Sequence, residues 1–447
     1  MTEATDSRPR HSPNKNSSSS SNPWHWIPTL YFSQGIPYVV VMTLSVIMYK
    51  NLGLSNTDIA LYTSWLYLPW VIKPLWSPLI ELFSRKRAWI VALQFLIGAS
   101  LALVALTIPG PRVFQMTLAV FWLMAFASAS HDIAADGFYM LALPQRSQAA
   151  FVGVRSTFYR LANIGGQGGL VYLAGELQER TGSMTTAWSI VFFVLSGLFV
   201  LMALYHQLML PRPVADRLRL HSDQGSTDTR ALLREFLQVF AEFFRKPGIA
   251  VILGFLLLYR FPEAQLLKLA SPFLLDAAAV GGLGLSTKQV GIAYGTVGLT
   301  ALTLGGLAGG WIISRVGLKR ALWPLVLAMH VPNIAFLALA MALPANLALI
   351  SAALAVEQFG YGLGFTAYLM YMILVADGPH KTAHYAICTG FMALGMMLPG
   401  MWSGWLQAQL GYVGFFGWVL IATLPSFLMA AQLKIPADFG KKLDTDE

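Results

Sequence analysis

The chain divides into twelve predominantly apolar windows, each close to the twenty or so residues that cross a bilayer as a helix. They lie near 25–48, 57–80, 88–108, 113–141, 149–174 and 186–209, and then near 249–275, 287–313, 321–342, 346–376, 383–408 and 413–433. Hydrocarbon offers no water to unpaired backbone groups, so windows like these can only be helices. The expected fold class is therefore an all-α integral membrane protein. Composition agrees: 56% of residues are hydrophobic, 11% are charged and mean hydropathy is +0.59. Soluble domains carry about 25% charged residues.

The basic residues set an orientation. Of 30 Lys and Arg, 21 fall on the side that holds both termini and the central loop, 4 fall opposite and 5 lie inside windows. The positive-inside rule then places both termini in the cytoplasm. The net charge of +9 is spread as flanks of apolar windows, so it gives no nucleic-acid surface. The expected parts are a disordered tail over 1–22, a six-helix bundle over 23–209, a cytoplasmic loop over 210–248, a second bundle over 249–434 and a tail over 435–447. The Ser-rich start lacks the apolar core of a cleavable signal peptide. The single cysteine, Cys388, excludes an intrachain disulfide and suits packing better than metal binding. No metal site, cofactor or nucleotide loop is expected.

Nine Lys, Arg, Asp and Glu residues fall inside the windows away from their ends: Lys73, Asp132, Asp136, Arg155, Arg160, Arg260, Glu263, Lys268 and Glu357. Each costs about 2.5–3.5 kcal/mol at membrane depth and by default marks function. They must pair, snorkel or face a water-filled cavity. Asp132 and Asp136, four apart, share one helical face. One of them should protonate unless a cation intervenes, and Arg155 or Arg160 on the next window could supply it. This cluster could move protons, close a gate, or only hold two helices together. Arg260 and Glu263 are spaced to pair along one helix. Pro262 between them predicts a broken helix that opens backbone dipoles to a cavity. Glycines at 165, 166, 168 and 169, and at 295, 298, 305, 306, 309 and 310, predict close helix contacts.

The chain also repeats itself. Lys86, Arg87 and Ala88 close the loop after the second window; Lys319, Arg320 and Ala321 close the loop after the eighth. Two six-span repeats joined by a charged loop suit alternating access around a midplane site. The loop Gly309-Gly310-Trp311-Ile312-Ile313-Ser314-Arg315-Val316-Gly317-Leu318-Lys319-Arg320 and its weaker copy, with Glu81, Arg85 and Arg87, resemble the loop signature of the major facilitator superfamily. That resemblance implies two six-helix bundles with gate loops at Glu81, Arg85, Arg87, Arg315 and Arg320. It also implies a cavity lined by spans one, four, seven and ten. The polar residues there are Gln34 and Tyr38; His131; Arg260, Glu263 and Gln265; and Glu357, Gln358 and Tyr361. Tyrosines, amides and a few charges suit a large polar solute better than a small ion. His131 by itself reads more readily as a packing residue or simple donor than as a proton carrier.

Three motifs in the first half are similar to one branch of the superfamily, the AmpG-like permeases. They are Lys73-Pro74-Leu75-Trp76-Ser77-Pro78 with Glu81, then His131-Asp132-Ile133 with Asp136, then Tyr159-Arg160-Leu161 before the glycines. The chain departs from the branch at His131, where Gln is usual, and at Phe138-Tyr139-Met140, where Ala-Trp is usual. The branch resemblance implies proton symport of anhydro-muropeptides into the cytoplasm across the inner membrane, for cell-wall recycling. It offers Lys73, Asp132, Asp136 and Arg160, with Arg155 beside them, as coupling or gating residues. The expected partners are a bulky polar small molecule, protons and the lipid bilayer, with no nucleic acid and a monomeric chain. A siderophore or other metabolite remains an alternative cargo. A polytopic membrane enzyme fits less well, because the charges lie at depth and not at an interface.

Overall fold

A computed structural model describes residues 22–83, 85–213, 216 and 229–441. Residues 1–21 of the expected tail 1–22, residues 442–447 of the expected tail 435–447, residue 84 and loop residues 214–215 and 217–228 lie outside the described residues. The regular structure among the described residues is entirely helical. Among the described residues nine helices are long and apolar enough to cross a membrane, from Pro23–Asn51 through Lys381–Ala431. The last holds two spans, hinged at Gly411, whose φ of 67° no L residue adopts easily. The helix pair Asn56–Trp65 and Leu68–Phe83, and the run from Gln145 to Thr181, complete twelve spans. Large apolar side chains such as Leu208, 82% exposed, cover the outside, as a lipid-facing surface requires.

Several spans are interrupted, and the interruptions cluster where a site could form. Span seven breaks between Ile249–Leu258 and Phe261–Leu275. Arg260 occupies the break with φ −101° and ψ 17°, and Pro262 starts the second piece because it lacks an amide donor. Spans one, five and eight each contain a π-turn, at Val40–Leu44, Gly165–Leu170 and Gly291–Gly298. Such turns frequently mark functional positions in otherwise regular helices.

The glycines bring spans together. A Cβ on Gly295 would lie 2.1 Å from the Gln167 carbonyl, so spans five and eight cross there with backbones almost touching. A Cβ on Gly305 would lie 2.1 Å from the Phe359 carbonyl of span ten. One face of span eight thus packs on the first bundle and another on its own.

The sequence repeat has a structural counterpart. Backbone amides of Lys86 and Arg87, which begin span three, donate to Asp216 at 2.7 and 3.1 Å. The Leu318 amide, which begins span nine, donates to the Phe439 carbonyl at 2.8 Å. In each bundle the segment after the sixth span caps the third, satisfying amides that a helix start leaves free. The central region, read from sequence as a charged cytoplasmic loop, contains the helix Thr229–Phe244. Its Phe243 is fully buried and stacks on Phe391 of span eleven at 6.4 Å.

Candidate functional site

A cavity of about 180 Å³ lies between the bundles. Tyr38, Val39, Met42 and Thr43 reach it from span one, Tyr67 from span two, and Asn163 and Gln167 from span five. The second bundle adds Arg260, Lys268 and Ser271 from span seven, Tyr294 from span eight, Gln358 and Tyr361 from span ten and Met396 from span eleven. All three π-turns contribute. Thr43, Gln167 and Tyr294 each lie within one of these turns and line the cavity.

Of the nine residues expected at the cavity, four line it: Tyr38, Arg260, Gln358 and Tyr361. Arg260 donates to the Tyr361 hydroxyl and lies 4.8 Å from the Phe365 ring centre. It does not pair with Glu263. The break takes Arg260 out of helical register, so the three-residue spacing no longer brings the two together. Glu263 is instead fully buried against span nine, with Oε1 2.7 Å from His330 Nδ1 and 3.2 Å from Asn333 Nδ2. Gln265 accepts from Trp418 of span twelve at 2.9 Å. Glu357 is fully buried behind the lining and accepts from Gln358 at 2.9 Å. Gln34 is buried and does not reach the lining.

His131 also stays out of the cavity. It joins a buried polar chain: its Nε2 is 3.1 Å from Gln94 Nε2, Gln94 Oε1 is 2.9 Å from His206 Nδ1, and His206 Nε2 is 3.0 Å from Thr29. That chain ties spans four, three, six and one.

The two aspartates have separate cations. Asp132 accepts from Trp70 at 3.2 Å and faces Lys73 of span two at 3.5 Å. Asp136 pairs with Arg155 of span five at 2.7 Å and accepts from Tyr31 at 3.2 Å. The Arg155 guanidinium lies 4.4 Å from the Tyr31 ring centre and 4.8 Å from that of Tyr139. Arg160 does not join them. It crosses to the Thr303 carbonyl of span eight at 3.3 Å, over the space that Gly306 leaves. Among the described residues this is the one hydrogen bond between bundles on the side of the termini.

The opposite side is clasped. Lys50 meets Asp276 at 2.5 Å, and Asn56 Nδ2 lies within 3.2 Å of Asp276, Gln407 and Tyr412. Asn51 donates to Thr287 at 2.9 Å. Lys288 reaches Glu176 at 2.6 Å and Glu179 at 3.3 Å. Lys288, and then Arg180, hold the Glu176 carboxyl below the usual carboxylate range.

Of the expected gate-loop residues, Arg87 donates to the Leu210 and Gln207 carbonyls at the end of span six. Arg315 lies 5.2 Å from the Trp311 ring centre. Arg85 precedes span three and Arg320 is exposed at the start of span nine. Glu81 lies in the helix Leu68–Phe83, and its side chain is outside the described residues. The reading from sequence missed Tyr67, Asn163, Gln167 and Tyr294 at the cavity because it sought only spans one, four, seven and ten. Lys268 was visible as a charge at depth but had no role.

Two bundles around a central cavity, clasped at one end, define a membrane transporter. The Major Facilitator Superfamily profile matches residues 29–398, and the chain belongs to that superfamily. It is a multi-pass permease, not an enzyme. Within the superfamily it is AmpG-like. It is 25% identical over 417 residues to the Anhydromuropeptide permease of Escherichia coli (strain K12), covering 90% of this chain and 77% of that one. It is 25% identical over 411 residues to the Putative transporter AmpG 4 of Rickettsia conorii, covering 89% and 93%. A Haemophilus influenzae protein described as uncharacterized is 26% identical over 415 residues, covering 89% and 91%. Among solved structures, the nucleoside transporter NupG superposes with a TM-score of 0.62 at 16% identity, covering 92% of this chain and 99% of that one. The D-xylose-proton symporter gives 0.60 at 16% identity, covering 94% and 98%.

Proposed function

We propose that the chain is a proton symporter of the inner membrane, with both termini in the cytoplasm, and that it imports anhydro-muropeptides. The observation that carries this reading is the cavity itself. It sits between the bundles and is lined by four tyrosines, three amides and two cations, a lining that hydrogen-bonds and stacks on a large polar solute. The likeness to the Escherichia coli permease supports the choice of cargo. No nucleotide-binding loop is present in the sequence, so an ion gradient is the natural source of energy.

Asp132 and Asp136 are the proposed proton carriers. Each is held by a cation from another span, so adding a proton to either acid frees Lys73 or Arg155 and loosens one helix pair. Arg160, which spans the bundles, is the proposed gate on the side of the termini. The chain is expected to act as a monomer.

The test is uptake into proteoliposomes under an imposed pH gradient, acidic outside. Labelled anhydro-muropeptide should accumulate above its external concentration, and collapsing the gradient should abolish the excess. Accumulation of a ferric siderophore but not muropeptide in the same vesicles would replace the cargo. Accumulation that ignores the gradient would remove proton coupling.

A further inference from the structure

We propose that Arg260 and Lys268 form a two-point anion site in the central cavity, and that the carried solute bears two acidic groups about 10 Å apart. The proposal deepens the function proposed above and rests on its placing the solute in this cavity.

Both cations come from span seven and both line the cavity. They are 93% and 94% buried, with relative exposures of 7% and 6%. No Asp or Glu lines the cavity, and among the described residues neither cation has a carboxylate within 4 Å. Arg260 spends one nitrogen on the Tyr361 hydroxyl, and its Nε has no partner. Lys268 donates to Thr63 at 3.0 Å and lies 5.5 Å from the Tyr67 ring centre, both groups of the first bundle. A buried cation without an anion is strongly unfavourable. Two of them, facing one cavity with no acid between, lack only what a ligand would bring. Glu263, three residues from Arg260, is already engaged with His330 and Asn333 on the far side of the helix.

The spacing follows from the helix. Seven helical steps of 1.5 Å carry the chain from Phe261 to Lys268, about 10 Å along the span, and Arg260 sits in the break immediately before them. Arg260 suits a planar carboxylate through two parallel donors, whereas Lys268 acts as a compact charge. The tyrosines between them supply hydroxyl donors and ring faces for the uncharged body of the solute. Lys268 also bridges the bundles through Thr63. An acid group bound at Lys268 therefore competes with a contact that holds the bundles together, which ties occupancy of the cavity to the clasp.

The experiment uses the purified full-length protein in detergent at fixed ionic strength. The probes are linear α,ω-dicarboxylates of eight to twelve carbons and the matching diamides, read by the shift of the thermal unfolding midpoint with ligand concentration. Diacids should stabilise the wild type and diamides should not. The preference should fall about tenfold in Lys268→Met and in Arg260→Met, the loss expected for one charge-assisted contact. Lys268→Arg, which keeps the charge, should retain most of it and guards against a folding defect in the Met variant. Equal effects of diacid and diamide on the wild type, no stabilisation by either, or an unchanged preference in both Met variants overturns the anion site. A parallel comparison of anhydro-muropeptide with its amidated form in proteoliposomes separates the two readings. A diacid preference without muropeptide uptake removes the cargo and leaves the site. Uptake that ignores amidation removes the site and leaves the cargo.

Discussion

Asp132 and Asp136 share a helical face, yet each meets its own cation from its own direction. The like-charge conflict that their spacing creates is resolved by geometry: Lys73 approaches from span two and Arg155 from span five. Lys73→Met should thus do harm mainly by stranding Asp132. The double variant Lys73→Met with Asp132→Asn should recover expression and detergent stability without recovering uphill uptake. A double variant no more stable than Lys73→Met would show that Lys73 matters through its own packing. Asp132→Asn alone that kept full uphill uptake and full pH dependence would remove Asp132 as a proton carrier. The buried Glu263–His330 pair poses a sharper stability question. Removing the carboxyl leaves buried donors of His330 and Asn333 without an acceptor, at a cost of about 1–3 kcal/mol. Glu263→Ala should lower the detergent unfolding midpoint well beyond Glu263→Gln, which can still accept from Asn333. Equal midpoints would mean that the site relaxes or admits water. From sequence, the ionisable residues at depth were easy to find, because charge in an apolar window is conspicuous. Their partners were not. Glu263 turned to His330, 67 positions away, because a break displaced Arg260, the neighbour three positions before it.

At the scale of the helix, the broken and π-turned spans shape the site. Twelve windows and the break at Pro262 were legible, since apolar length and proline both act locally. The π-turns were not, because nothing in Val40–Leu44 or Gly291–Gly298 marks an inserted residue except the packing that demands it. The helix Thr229–Phe244 left a signal that the reading of 210–248 as a loop overlooked, namely Phe236, Phe240, Phe243 and Phe244 at helical spacing among charged residues. Glycine spacing foretold close contacts, though not which helices would meet. The crossing of spans five and eight yields a direct prediction. Gly295→Val forces branched carbon into a gap already closed to the Gln167 carbonyl. Overpacking of this kind costs about 1–3 kcal/mol. The strain bears on the contact between bundles, so it should shift the balance between clasped and unclasped forms by roughly 5- to 150-fold. Uptake should fall with expression intact. Gly310→Val, at a glycine with open space beside it, should leave uptake near wild type. Equal losses in both variants would argue that helix propensity, not the crossing, is at stake.

Across the whole molecule, the two bundles are held unequally. The end away from the termini carries the Lys50–Asn56–Asp276 cluster and the Lys288–Glu176 pair, whereas the end near the termini has Arg160 alone reaching across by hydrogen bond among the described residues. The polar contacts between the bundles are thus concentrated at the end away from the termini. The sign of the Glu176 shift decides whether pH works that clasp. Its carboxyl is held below the ordinary glutamate value of about 4.3 by Lys288 and then Arg180. The interaction is fully present above that ordinary value and is lost only as pH falls through the depressed one. Glu176 is also solvent-accessible, so its share of the clasp is small and weakens with salt. The clasp should therefore be constant from pH 8 to pH 6, and under the proton coupling proposed above any proton sensing falls to groups at membrane depth. Spin labels at Thr181 and Val280, both exposed and on opposite bundles, report the width of this end. Buried Cys388 should stay unlabelled. The distance distribution should hold from pH 8 to pH 6 and broaden only near or below pH 4, whereas Glu176→Gln should broaden it modestly at every pH. Asn56→Ala, which loses Asp276, Gln407 and Tyr412 together, should broaden it more. A change between pH 7 and pH 6 in the wild type would instead mean that a titrating group elsewhere opens the clasp, and its loss in Asp132→Asn or Asp136→Asn would identify which acid drives it.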